Sequence, residues 1–213
     1  MDNRNETIHN QMKWLHYMKV ATDRMTKMIT NLLELAQFDQ VNPQLEMKMI
    51  HISSIIEEMV FSMEAAAKDK GIPVTCSIEP QIMVKGDSDK IKQLAMILLD
   101  NAHKYTNENG KIDIALEKDK KKVFFRVRNT GKGIAEEDLP NIFNRFYGGD
   151  RSRHLEKNSF GLGLSIAKSI ANELGGKIHV SSEENNWTTF TVMFPGVKNN
   201  LSFSFTLKFI IKF

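Results

Sequence analysis

Cysteine is almost absent from this 213-residue chain. The one cysteine, Cys76, has no partner for an internal disulfide, which points to a reducing compartment. It lies in the alternating run Val74-Thr75-Cys76-Ser77-Ile78 and reads as a small core residue. Long apolar runs are missing as well. No window approaches ~18 uncharged apolar residues, so the segment is expected neither to span nor to contact a membrane. The N-terminus is polar and lacks a signal peptide, and any membrane segment would lie upstream of Met1. A surplus of one charge is also lacking: 29 basic against 26 acidic residues leave a net +3. No basic stripe forms, which argues against nucleic acid as a partner. The dense run Lys118-Asp119-Lys120-Lys121-Lys122 falls where a turn is expected and reads as a solvated hairpin tip.

With 41% hydrophobic residues, the chain has enough apolar side chains for one ordinary domain plus an appendage. Residues 6–38 read as one long helix. Gln11, Leu15, Met18, Thr22, Met25, Ile29, Leu32 and Ala36 recur at alternating spacings of four and three, a heptad seam that asks for a partner helix. The blander reading is an amphipathic helix lying on its own domain. Pro43 stops it. A short strand at 45–50 comes next, then a helix from a Ser53 cap to about Lys70. Short strands near 74–79 and 82–85 lead to an Asp87-capped helix whose buried face is Ile91, Leu94, Ala95, Leu98, Leu99 and Ala102. Residues 111–117 and 122–128 alternate as a hairpin, and 177–182 and 188–194 are the last strands of the domain. Between the pairs, 140–160 suggests a mobile loop, and Gly161 opens a helix to about Leu174. The tail 199–213 either adds a strand to a sheet edge or is a disordered extension. This order predicts an α/β two-layer sandwich, a mixed sheet with helices on one face, preceded by one long coiled-coil helix. Its parts are 1–42, 43–197 and a tail at 198–213.

Three motifs carry chemistry. On the Asp87-capped helix, Asn101, Lys104 and Tyr105 share one face. An amide oxygen suits magnesium when phosphates supply further oxygens, lysine reaches phosphate, and a tyrosine ring packs on a base. In Asn129-Thr130-Gly131-Lys132-Gly133-Ile134, the glycines permit a turn close to a flat ligand, and Asn129 can aim an oxygen at an exocyclic amine. Gly161-Leu162-Gly163-Leu164 precedes a helix, so its backbone N–H groups can face an anion. It is neither a Walker loop nor a dinucleotide fingerprint. Each motif alone also reads as an ordinary helix end, strand-ending turn or helix start.

Together and in this order, they resemble the bacterial sensor histidine kinases. Thr22–Ile29 with Leu32–Ala36 resembles the second dimerisation helix, Leu98–Tyr105 the N box, and Asn129–Ile134 the G1 box. Asp138–Tyr147 resembles the F box, Phe160–Ile170 the G2 box, and Thr188-Thr189-Phe190 the last nucleotide motif. The resemblance implies a Bergerat-type ATP-binding fold that binds ATP with Mg²⁺. It places Asn101, Lys104, Tyr105, Asn129, Gly131, Gly133, Ile134, Arg145, Gly161, Leu162, Gly163, Leu164 and Thr189 around the nucleotide. Asn101 would be the metal ligand, residue 129 would meet the adenine amino group, and 147–160 would form a lid. The chemistry implied is transfer of the γ-phosphoryl group to a histidine, for relay to a response-regulator receiver domain.

Departures from the family pattern matter equally. Asn129 stands where aspartate is usual, which removes the charge from a base-reading acceptor and predicts weaker nucleotide binding. Ile97 replaces a frequent asparagine, Ser159 the first glycine of the G2 box, and Trp187 a glycine before the final threonines. Gly148 stands where a basic residue commonly succeeds the F box. The phosphoacceptor motif is missing. His9 and His16 lack its acidic neighbour and following proline, His103 reads as a pocket-rim residue, and His51, His154 and His179 have no partner pattern. The chain is therefore expected not to autophosphorylate alone, and to dimerise through 6–38 only if the missing helix is supplied. Without that helix, exposed Met and Leu on the seam predict self-association or poor order. Two alternatives stand beside this reading: a degenerate, non-catalytic nucleotide- or partner-binding module, and another Bergerat ATPase. The latter needs a glutamate general base where Ile97 stands.

Overall fold

The computed structural model describes residues 8–38, 45–147, 161–197 and 207–211. The expected helix stop at Pro43, the lid positions 148–160 with Gly148, His154, Ser159 and Phe160, and the rest of the tail lie outside the described residues. So do the side chains of His9, Leu32 and Ala36 on the first helix.

That helix, α1 (Ile8–Phe38), leaves in solvent the large apolar side chains that are described. Met12, Leu15, Met18, Met25, Ile29 and Leu33 are all more than half exposed, the seam residues Leu15, Met18, Met25 and Ile29 among them. Strand β1 (Lys48–His51) pairs antiparallel with β3 (Met83–Gly86) in a small two-stranded sheet. Between them come α2 (Ile52–Asp69) and β2 (Val74–Ile78).

Ser53 does not cap α2; His51 holds that position, with no side-chain bond. Ser53 is buried instead. Its hydroxyl donates to the Glu79 carbonyl at 2.7 Å and accepts from the Ile82 N–H at 3.0 Å, tying the helix start to the β2–β3 loop. Helix α3 (Ser88–Tyr105) is capped as its sequence demands: Asp87 accepts from the Asp89 and Lys90 N–H groups at 3.0 and 3.2 Å. Its buried side chains are Ile91, Leu94, Ala95, Leu98, Leu99 and Ala102, the apolar face predicted from spacing.

Strands β4 (Ile112–Asp119) and β5 (Lys122–Thr130) form a hairpin whose tip carries the lysine run. Lys120 there has φ +53° and is exposed. Helix α4 (Gly163–Glu173) and strands β6 (Lys177–Glu183) and β7 (Trp187–Pro195) complete the domain. In the tail, β8 (Leu207–Ile211) adds a strand to the sheet edge, antiparallel to β2. The large sheet runs β6-β7-β5-β4-β2-β8, with β2 and β4 parallel and every other pair antiparallel.

Helices α2, α3 and α4 cover one face. Ile112, Ile114, Leu116, Phe125, Val192 and Phe194 point up from the strands to meet Ile52, Ile56, Leu94, Leu98, Ile166 and Ile170. Each such side chain contributes about 1.5–3 kcal/mol on removal from water. The other face is polar. Arg126 pairs with Glu117 at 2.6 Å, and the Arg128 guanidinium lies 4.6 Å from the Trp187 ring centre. Among the described residues no helix is long and apolar enough to cross a membrane.

Candidate functional site

The C-terminal half of α3 supplies the first wall. The Asn101 amide nitrogen donates to the Ile97 carbonyl at 2.8 Å. A carbonyl can only accept, so the amide orientation is fixed with Oδ1 directed away from its own helix. Lys104 holds its ammonium 4.9 Å from the Tyr105 ring centre, and Tyr105 is exposed. His103, expected at the pocket rim, turns to the other side of α3. With Ser62, Met63, Met96, Leu99 and Asp100 it lines a cavity of about 110 Å³ against α2.

The G1 turn is pressed against α3 from one side and against the β6–β7 turn from the other. Thr106 bridges Gly131, and the Gly131 N–H donates to the Asn186 carbonyl at 3.0 Å. A Cβ on Gly131 would stand 2.2 Å from the Tyr105 carbonyl oxygen, and one on Gly133 would stand 2.2 Å from that of Glu183. Gly133 also has φ +67°, so two independent constraints select glycine there. Behind the turn Asn129 is buried at 5% exposure, directly opposite Thr188 in the β5–β7 register. Its Nδ2 makes only a long bond, 3.3 Å, to the Thr130 carbonyl.

Thr189, expected at the base, faces the opposite way. Strand side chains alternate, and Thr189 pairs with Arg128 on the polar face, whereas Thr188 shares the helix-covered face with Asn129. Sequence reasoning puts Thr188 in the last nucleotide motif but gives the base to Thr189, and it does not single out Ser182, whose hydroxyl meets the Ile134 N–H, the Trp187 carbonyl and the Thr188 hydroxyl at 2.9, 2.7 and 2.8 Å. The phase of β7 is legible in sequence, since Thr188 alternates with the apolar Phe190, Val192 and Phe194, while pairing with β5 sets it opposite Asn129.

Helix α4 supplies the remaining wall. Leu162 occupies its N-cap and is buried, and it offers no oxygen to the first-turn N–H groups, which leaves a positive helix end unopposed by a side-chain cap. Gly163 stands at that end. A Cβ built on it would lie 3.5 Å from Ile97 Cγ2, so the α4 N-terminus sits beside the α3 turn whose carbonyl anchors Asn101. Leu164 is half-buried. The Phe146 N–H donates to the Gly161 carbonyl at 3.0 Å, joining the segment before the lid positions to the α4 entry. Nearby, the Tyr147 hydroxyl donates to Asp138, and that bond holds the phenol above its ordinary pKa. Arg145 lies in this segment and is exposed, while Ile134 is half-buried beneath the G1 turn.

Gly163 meets Ile97 beside Asn101, and Gly131 packs on the Tyr105 carbonyl at the end of α3, whereas Gly133 packs on the β6–β7 turn at Glu183 and Gly161 on Phe146 and Tyr147. An oriented amide oxygen thus lies beside the α4 N-terminus, and the buried Asn129 and Thr188 lie in register on β5 and β7. Among the described residues no group of three His, Cys, Asp or Glu forms a metal cage, so a divalent ion held by Asn101 needs further oxygens from a ligand.

Residues 86–198 match the family model described as histidine kinase-, DNA gyrase B-, and HSP90-like ATPase. Over 174 residues, 81% of this chain, the sequence is 37% identical to the signal transduction histidine-protein kinase ArlS of Staphylococcus epidermidis. The matched region spans 38% of that relative's length. Among solved structures, the nucleotide-free catalytic domain of histidine kinase ThkA is 32% identical, with a TM-score of 0.60, covering 71% of this chain and 97% of that domain. The complex of ThkA with response regulator protein TrrA covers 92% of this chain and 53% of the matched chain, at 27% identity and a TM-score of 0.70. Full-length ShkA in complex with AMPPNP shares the fold at a TM-score of 0.78 and 21% identity, covering 92% of this chain and 42% of ShkA. The sheet order and helical layer are those of the Bergerat fold of histidine kinase catalytic domains.

Proposed function

The chain belongs to the histidine kinase-, DNA gyrase B-, and HSP90-like ATPase family, and from that premise we propose that it is the Mg-ATP-binding catalytic region of a sensor histidine kinase. The observation that carries this reading is the contact between the α4 N-terminus and the Ile97–Asn101 turn. It sets helix-start N–H groups, suited to phosphate oxygens and capped by no described side chain, beside an amide oxygen suited to magnesium. Mg²⁺ would be held by Asn101 Oδ1 together with phosphate oxygens and would offset charge on the transferring group. Asn129 and Thr188 would face the base across the G1 turn, with Tyr105, Ile134 and Leu164 beside the nucleotide. Lys104, Arg145 and the Gly161–Gly163 backbone would approach the phosphates. The chain's own share in catalysis is to position and to stabilise charge.

The γ-phosphoryl group would pass to a histidine outside this chain and from there to a receiver domain. ThkA, whose complex with a response regulator is known, supports that class of partner. Segment 1–42 would serve as the second helix of a dimerisation hairpin, 43–197 as the catalytic domain, and α1 would pair when the missing helix is supplied. The test is incubation with labelled ATP, Mg²⁺ and a separate phosphoacceptor domain. Label should appear on the acceptor histidine and vanish with Asn101→Ala. Absence of both transfer and nucleotide binding overturns the reading. A second reading, a nucleotide sensor without transfer, is favoured by the uncharged Asn129, and binding without transfer would establish it.

A further inference from the structure

The hydroxyl of Ser182 has one proton and two lone pairs. The Trp187 carbonyl, 2.7 Å away, can only accept, so it takes the proton. The Ile134 N–H, at 2.9 Å, can only donate, so it takes one lone pair. That leaves the other lone pair for Thr188 Oγ1 at 2.8 Å, and Thr188 must be the donor of this bond. The proton count leaves no alternative arrangement that satisfies all three partners. Thr188 thereby commits its only hydroxyl proton to Ser182 and keeps lone pairs alone for anything else on its face. That face is the one it shares with Asn129, its register partner.

From this we infer that Ser182 is a positioning residue for base recognition: by ordering one proton it makes Thr188 an acceptor-only group aimed at a purine's 6-amino substituent. The inference rests on the proposed nucleotide site and deepens it. Asn129 donates from Nδ2 to the Thr130 carbonyl over a long 3.3 Å, so its acceptor oxygen is held only weakly in place. In this chain the fixed acceptor is a hydroxyl ordered from behind by a second hydroxyl. Ser182 also holds the Ile134 N–H, so the G1 turn and the base-reading side chain share one anchor.

The test compares ADP with purine riboside 5′-diphosphate, the same nucleotide carrying hydrogen at position 6, by calorimetric titration. The unaltered protein should prefer ADP by roughly five- to tenfold, the size of one neutral hydrogen bond. Ser182→Ala and Thr188→Val should lose that preference, whatever their affinity for the purine analogue. Ser182→Thr and Thr188→Ser, which retain the hydroxyls, should keep the preference. An unchanged preference in Ser182→Ala, or an equal weakening of both nucleotides, overturns the proposal and leaves the nucleotide site standing. If Ser182→Ala does not fold, the contrast between Thr188→Val and Thr188→Ser decides the matter by the same criterion. Failure of the unaltered protein to bind either nucleotide overturns the nucleotide reading and this inference with it.

Discussion

Replacing Asn129 by aspartate should strengthen adenine-nucleotide binding while destabilising the empty protein. Asn129 is 5% exposed, and its amide reaches the Thr130 carbonyl at 3.3 Å. In Asn129→Asp an acceptor-only oxygen faces that carbonyl, and a carboxylate is buried with no cation shown beside it. The penalty of leaving such a group without a partner is about 1–3 kcal/mol. In a domain of this size that lowers Tm by about 2–4 °C per kcal/mol. Bound nucleotide changes the balance. A hydrogen bond to a charged acceptor is worth about 1.5–3 kcal/mol, against about 1 for a neutral one. The net gain of about 1 kcal/mol corresponds to roughly fivefold tighter ADP binding. Calorimetric titration of ADP into both proteins, beside thermal melts with and without nucleotide, measures both terms. Asn129→Asp should melt lower when empty and show the larger stabilisation when ADP is present. Equal affinity in the two proteins would refute the assignment of residue 129 to the base.

Both carboxylate oxygens of Glu173 are buried without a hydrogen-bond partner. Burial raises its pKa, against the opposing charge of Lys90 and with the support of Asp87. The folded state then holds the proton more tightly than the unfolded state, so stability falls as pH rises from the ordinary glutamate range through the raised value. Glu173→Gln should therefore melt higher than the unaltered protein at pH 8 and lose the advantage near pH 4; a lower Tm at pH 8 contradicts this account. Deleting residues 1–42 should turn a self-associating chain into a folded monomer, since it removes the exposed Met12, Leu15, Met18, Met25, Ile29 and Leu33. Light scattering after size exclusion reads the result, and a monomeric full chain refutes it.

Where signals were local, residues announced their structure. The face of α3 comes from 3.6-residue periodicity, and Asp87 caps because a carboxylate two and three residues ahead of free N–H groups has little competition. Gly131 and Gly133 marked the turn at the end of β5, although the backbone carbonyls they accommodate, on Tyr105 and Glu183, lie far away in sequence. Ser53 shows the limit. A serine at a helix start suits a cap, yet its hydroxyl bonds to the Glu79 and Ile82 backbone, 26 and 29 residues on. His103 shows it again: the N box placed it near the nucleotide, but helical rotation turns it toward α2.

The amino-acid sequence by itself determined most of the elements and their order, because periodicity, capping and turn chemistry act over a few residues, and the resemblance of its ordered motifs pointed to the family. Only the tertiary structure decided that Thr188 lies opposite Asn129, that Ser182 bonds Thr188, and that the Glu173 carboxylate oxygens are buried with no hydrogen-bond partner among the described residues. The reason is physical. Which side a strand residue faces depends on the register with its neighbours, and a slip of one position exchanges the two faces. A hydroxyl's proton goes where three-dimensional partners leave room for it, and those partners come from β6, β7 and the G1 turn together.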